Sequence, residues 1–274
     1  MKFFPVCAAL FAACILTACG GGGGSGPEQP INNTSPIRDA IGGGPLALGN
    51  AQIRQALAAI QGEHDHLNVS DSAADCHSTG CRALNNNVTI YLSDFQLENG
   101  TYEPVMTRHG FNVFQGANRI TFLGDSGTYQ TYGGWGSYTL FAGFASGDSA
   151  FAGIAGNDTG SRPVGGSATW TGVMVGGDFG RDEAFQGDAN LNANFSAGHM
   201  NIAFTNIHEV TSGNRRRDIS FGNVPFTSDG FYSGNRAGGD FVEGTFYGPN
   251  HVEVGGVFET DNGNTFGSFG AKRQ

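Results

Sequence analysis

Ionised side chains are scarce in this sequence. Among 274 residues there are 14 Lys and Arg against 24 Asp and Glu, a formal net charge of −10. So few cations leave little to meet a phosphate backbone or a bare anionic lipid surface, which excludes nucleic acid and such membranes as partners. Cysteine is also scarce, with five residues. Long hydrophobic runs are missing after residue 19. G-x-S-x-G, H-E-x-x-H and the phosphate-binding P-loop are missing too, so no nucleophile elbow, zinc-protease helix or phosphate cradle is encoded. The Asp-rich turns single out no pair of carboxylates. The chain reads as a non-enzyme.

Glycine and phenylalanine are abundant, at 46 and 22 residues. Glycine at more than about twice its ordinary share, without a collagen period, points to tightly turning β-structure. The rest of the chain fits that view. "VTIYLSDF", "EPVMTRH", "FNVFQG", "NRITFLG" and "GSYTLFAGF" are short β-like runs divided by Gly and Asn turn signals. One amphipathic stretch, "NAQIRQALAAIQG" (50–62), predicts a helix with Ile53, Leu57 and Ile60 on one face.

The first nineteen residues, "MKFFPVCAALFAACILTAC", place one cation before an apolar run that ends in Leu16-Thr17-Ala18-Cys19. That order is a secretory signal closed by a lipobox, so residues 1–18 are expected to be removed and Cys19 lipidated. Gly20 in the next position fits sorting to the outer membrane. The Gly-, Ser- and Pro-rich run that follows, through residue 45, is expected to be a flexible tether.

Residues 46–160 read as a smaller subdomain of one helix and an antiparallel sheet, with a boundary near 155–166. Residues 161–274 alternate more cleanly. In "FQGDANLNANF" the residues Phe185, Gly187, Ala189, Leu191, Ala193 and Phe195 share one face, and Gln186, Asp188, Asn190, Asn192 and Asn194 the other. Eight strands are predicted, at 168–176, 185–195, 199–207, 215–223, 231–236, 239–247, 252–258 and 265–271. Eight meandering strands can close an up-and-down β-barrel filled by side chains, with no exposed edges. Gly248-Pro249-Asn250 would turn between two of them, and Phe246 and Phe258 would fill the interior beside Trp170 and Met174.

The stretches "VEGTFYGPNHVEVGGVFE" (242–259) and "GSFGAKRQ", with "ATWTGVMVG" as an opening strand, resemble the β-barrel domain of the transferrin-binding protein B superfamily. That superfamily includes surface lipoproteins similar to factor H binding protein and the haem-carrying hemophilins. The resemblance runs from about Ala168 to Gln274. It implies a non-enzymatic, lipid-anchored surface protein of the outer membrane, carried outward by an outer-membrane translocon. It also implies a protein or haem-bearing ligand, and it assigns no ligand-contacting residue.

The candidate sites come from the residues themselves. His64 and His66 would face one way if residues 63–67 are extended, a spacing that suits haem iron or a metal ion. The alternative is a solvated polar loop after the helix. Cys76 and Cys81 are the cysteines that remain in the exported domain, so a disulfide is expected, with a zinc pair as the rival. Tyr129, Tyr132, Trp135 and Tyr138 in "QTYGGWGSY" form the candidate exposed aromatic patch for a protein partner, or else ordinary strand and core aromatics. Arg215, Arg216 and Arg217 read as a solvated turn or as a basic spot for an acidic partner. "TDNGNTFG" and "GDANLNAN" carry oxygen side chains but no EF-hand spacing.

Overall fold

The computed structural model describes residues 66–69, 74–77, 80–83, 90–91, 95–122, 125–146, 149–156, 164–178, 181, 183–228, 230–234, 240–260 and 264–274. The helix expected at 50–62 lies outside them. The described elements are β-strands, apart from one 3-10 turn at Pro249–His251.

The first layer is a seven-stranded antiparallel sheet. Its strands are β1 (His66–Val69), β4 (Ile90–Tyr91), β5 (Phe95–Arg108), β6 (Phe111–Phe122), β7 (Asp125–Trp135), β8 (Thr139–Ser146) and β9 (Ser149–Gly156). Their order is β4-β1-β9-β8-β7-β6-β5. A small hairpin, β2 (Ala74–His77) with β3 (Gly80–Ala83), forms its own two-stranded sheet next to β9. "FNVFQG" and "NRITFLG", read as two strands, are one. β6 runs straight through Gly116, which pairs with Tyr102 on one side and Thr131 on the other. Hydrogen bonding on both edges overrides the local turn signal.

The second layer is the barrel. Its strands are β10 (Ser167–Asp178), β11 (Glu183–Asn194), β12 (His199–Glu209), β13 (Ile219–Pro225), β14 (Gly230–Gly234), β15 (Phe241–Tyr247), β16 (Glu253–Thr260) and β17 (Thr265–Arg273). The last strand folds back beside the first, so the order is β13-β12-β11-β10-β17-β16-β15-β14. The inward face is as the two-residue period predicts. Trp170, Met174, Phe185, Ala189, Leu191, Phe204, Phe246, Phe258 and Phe269 share one buried core. Trp170 packs against Phe246 at 5.7 Å and donates its Nε1 hydrogen to the His251 carbonyl, 3.0 Å away.

Two expectations about the barrel need correction. Closure is incomplete: β13 and β14 form no ladder, and a single bridge, Phe226 to Phe231, joins their hairpin. A seam with two strand edges therefore remains. The strand expected from residue 215 starts at Ile219. Arg216 is instead drawn inward, its guanidinium against the Asp178 carboxylate and 4.8 Å above the Phe185 ring. Arg215 pairs with Asp218 at 3.1 Å, so the arginine run is two ion pairs with Arg217 exposed beside them.

The layers pack face to face. Val173, Val175 and Val257 on the outside of the barrel join Val105, Met106, Phe111, Val113, Phe141 and Ile154 of the sheet in a second core. Strand β16 is buried along its whole length and β17 along most of it. Gln186, predicted on a solvated face, is fully buried for the same reason: that part of the wall is not open to water.

Candidate functional site

The junction of sheet and barrel is where the sequence-predicted patch lies, and glycine makes the close approach possible. A Cβ at Gly255 would stand 2.1 Å from Ile154 Cδ1, and one at Gly270 2.7 Å from the Phe141 ring. The two bare backbones let the β8 and β9 side chains rest on the wall.

Two polar groups fix this packing laterally. Glu253, the first residue of β16, is buried beneath the turn between β7 and β8. Its carboxylate accepts the backbone N–H of Ser137 at 2.8 Å, the N–H of Tyr138 at 2.9 Å and the Thr139 hydroxyl at 2.9 Å. Three donors replace the water that a buried carboxylate must shed. A side chain on Gly136 would meet the same carboxylate, with its Cβ 2.5 Å from Oε1. Near the β5–β6 turn, Arg108 grips Asp188 of β11 with Nε at 2.5 Å and Nη2 at 2.7 Å. His109 Nε2 lies 3.1 Å from the same carboxylate.

Against this frame, the aromatic stretch is not an exposed loop. Tyr129, Tyr132 and Trp135 belong to β7, and only Gly136, Ser137 and Tyr138 make the turn. Trp135 is 4% exposed and packs against Phe114 at 5.9 Å. Tyr132 and Tyr138 are half-buried against the junction core. The reading of Trp135 as a surface anchor is therefore corrected: the Gly-rich stretch is flanked by hydrogen-bonded strands, which turn its ring inward.

Cys19 and His64 lie outside the described residues. His66 opens β1, opposite Tyr91. Cys76 and Cys81 face one another across the β2–β3 hairpin as direct register partners. Among the described residues, no group of three His, Cys, Asp or Glu side chains is placed to hold a metal ion. The sequence reading missed Glu253, Asp188 and Arg108. No local signal marks them, because each acts on a partner about 80 to 116 positions away.

Residues 142–273 match the family described as the C-lobe and N-lobe beta barrels of Tf-binding protein B, a span just under half of the chain. Residues 142–273 are therefore similar to the barrel domain of the transferrin-binding protein B family. The match begins within β8, so it takes in the last strands of the first sheet as well as the barrel. No curated protein matches the sequence. Similar solved structures include a single-substitution variant of transferrin binding protein B from Actinobacillus pleuropneumoniae, 15% identical, covering 50% of this chain and 77% of that one, TM-score 0.36. Isotype 1 transferrin binding protein B from serogroup B Neisseria meningitidis is 13% identical, with 65% and 52% covered and TM-score 0.40. The chain thus spans about half the length of that relative. The N-lobe domain of lactoferrin binding protein B of Moraxella bovis is 12% identical, with 53% and 80% covered and TM-score 0.33.

Proposed function

We propose that this protein is a non-enzymatic lipoprotein of the outer membrane surface that binds a protein or an iron-bearing ligand. The family match of residues 142–273 is the observation that carries the reading. The lipobox at Cys19 and the tether after it support display of the folded unit away from the membrane. In this reading Cys19 is the anchor, and an outer-membrane translocon brings the domain outward. The ligand is taken by the exposed turns around the rigid sheet–barrel unit rather than by Trp135, whose ring is inside.

The test is a pull-down with the purified full chain from serum, and separately with transferrin, lactoferrin, haemoglobin and haem. One saturable ligand is expected. Failure to retain any of them would remove the ligand-binding reading. Mass spectrometry of the mature N-terminus should find an acylated Cys19, and an unmodified N-terminus elsewhere would remove the anchor.

A further inference from the structure

The first sheet has two faces, and the barrel covers one of them. Phe111, Val113, Phe141 and Ile154 point into the junction core. The two-residue period sends Phe114 of β6, Gly133 and Trp135 of β7, and Leu140 and Ala142 of β8 to the far face. The register sets them side by side, in the rows Phe114–Gly133–Ala142 and Trp135–Leu140. A Cβ at Gly133 would stand 2.7 Å from the Phe114 ring, as expected of a shared face.

These far-face side chains are buried, with Phe114 at 1% and Leu140 at 4% exposed. Yet they belong to neither the barrel core nor the junction core. Outside the barrel, the β2–β3 hairpin is the one described element that is not a strand of this sheet, and it lies against β9. An apolar layer this dry needs a cover from elsewhere in the chain. The stretches between described strands offer little. Residues 84–89 (LNNNVT) and 157–163 (NDTGSRP) are short and polar.

The segment ahead of β1 has what is needed. In residues 50–62, Ile53, Ala56, Leu57 and Ile60 recur at the spacing of one helix face, and Arg54, Gln55 and Gln61 fall elsewhere. Its reach also fits. From Gly62 to His66 the chain spans at most about 14 Å, so the helix must end close to β1. The junction side is occupied by the barrel wall, and the far face is the side left to it. As a helix, residues 50–62 are about 20 Å long. The order β1-β9-β8-β7-β6 places β6 four strand spacings from β1, about 19 Å. A helix laid across the strands from β1 therefore reaches Leu140, Trp135 and Phe114.

We propose that residues 50–62 form a helix seated across the far face of the first sheet, with Ile53, Leu57 and Ile60 on Phe114, Trp135 and Leu140. The sheet is then the middle of three layers, and the tether joins the folded unit on the side away from the barrel. This placement does not depend on the ligand reading, and its test uses no ligand.

Amide exchange in the full chain reads the seat directly. A free peptide of this length is barely helical in water. Exchange at residues 53–60 is therefore expected to be at least about a hundredfold slower in the full chain than in the isolated peptide. Fluorescence locates the seat. The chain has two tryptophans, and Trp170 lies in the barrel core. Leu57→Glu is expected to open Trp135 to acrylamide quenching while Trp170 stays protected, and to lower the urea midpoint. Gln55→Glu puts the same charge on the opposite side of the helix and should change neither. Leu57→Ala empties the contact without adding a charge and should give the same response in smaller measure, which serves if Leu57→Glu does not fold. Exchange as fast as in the free peptide, no gain in quenching from either Leu57 variant, or equal responses from the Leu57 and Gln55 variants would each overturn the proposal.

Discussion

Glu253 shows how a single residue joins two layers. Its carboxylate holds three donors in place of solvent, so Glu253→Gln, which keeps the shape but leaves a poorer acceptor and a misplaced donor, is expected to destabilise the fold. A loss of about 1–3 kcal/mol is expected, read as a lower urea midpoint. The barrel interior offers a sharper comparison. Leu191 is 2% exposed while its neighbour Asn192 is on the open wall. Leu191→Asp buries an unpaired charge and is expected to cost more than about 4 kcal/mol or prevent folding. Asn192→Asp should shift the midpoint by less than about 0.5 kcal/mol. Equal effects would mean that the strand register is wrong. Both Leu191 and Asn192 were legible in the sequence, because a two-residue period assigns their faces without knowledge of the rest of the chain. Glu253 was not legible, since a glutamate beginning a strand looks like any solvated one until the Ser137 turn is laid over it.

At the level of elements, the β2–β3 hairpin sets Cys76 opposite Cys81 in direct register. A disulfide there is expected, and thiol labelling of the denatured, unreduced protein should modify neither residue. Quantitative labelling of both would overturn it. The β12–β13 connection carries a titrating group. The Ser212 hydroxyl bond holds the Glu209 carboxyl below its ordinary value, helped by Asn214 and by the charges of Arg216 and Arg181, while slight burial opposes them. A carboxyl lowered in the folded state contributes stability above its unfolded value near 4.5, and that stability fades as pH falls through the lowered one. The midpoint difference between wild type and Glu209→Gln should therefore shrink between pH 6 and pH 3. A difference that stays constant would show that the loop makes no use of the charge. The beginning of β13 was misplaced in the sequence reading for a related reason. Arg215 to Arg217 look like the start of a strand, but Arg215 makes only an isolated bridge to His208 and Arg216 turns its guanidinium to Asp178, so the continuous strand begins at Ile219. The seam was hidden as well. Eight alternating segments imply a closed ring, and nothing local in "GNVPFTSDGFY" says that its two arms splay after a single bridge.

At the scale of the whole molecule, the barrel is not independent of the sheet. Val173, Val175, Phe241, Tyr247 and Val257 belong to the junction core, so a fragment of residues 161–274 alone would present that surface to water. Such a fragment is expected to bind a hydrophobic dye or aggregate, while the full chain stays monodisperse by light scattering. A soluble, dye-silent fragment would show that the wall tolerates exposure. This dependence also explains why the sequence pattern was only half readable: strands buried on both faces, such as β16, do not alternate. The return of β17 to lie beside β10 has a further effect, in time rather than space. Trp170 finds its partner in Arg273, almost at the end of the chain. Ladders of such long separation fold slowly, because the loop must close before any contact rewards it. The wall between β10 and β16 therefore stays incomplete until the nine residues of β17 are in place, so closure of the β10–β17 ladder is a late event in folding.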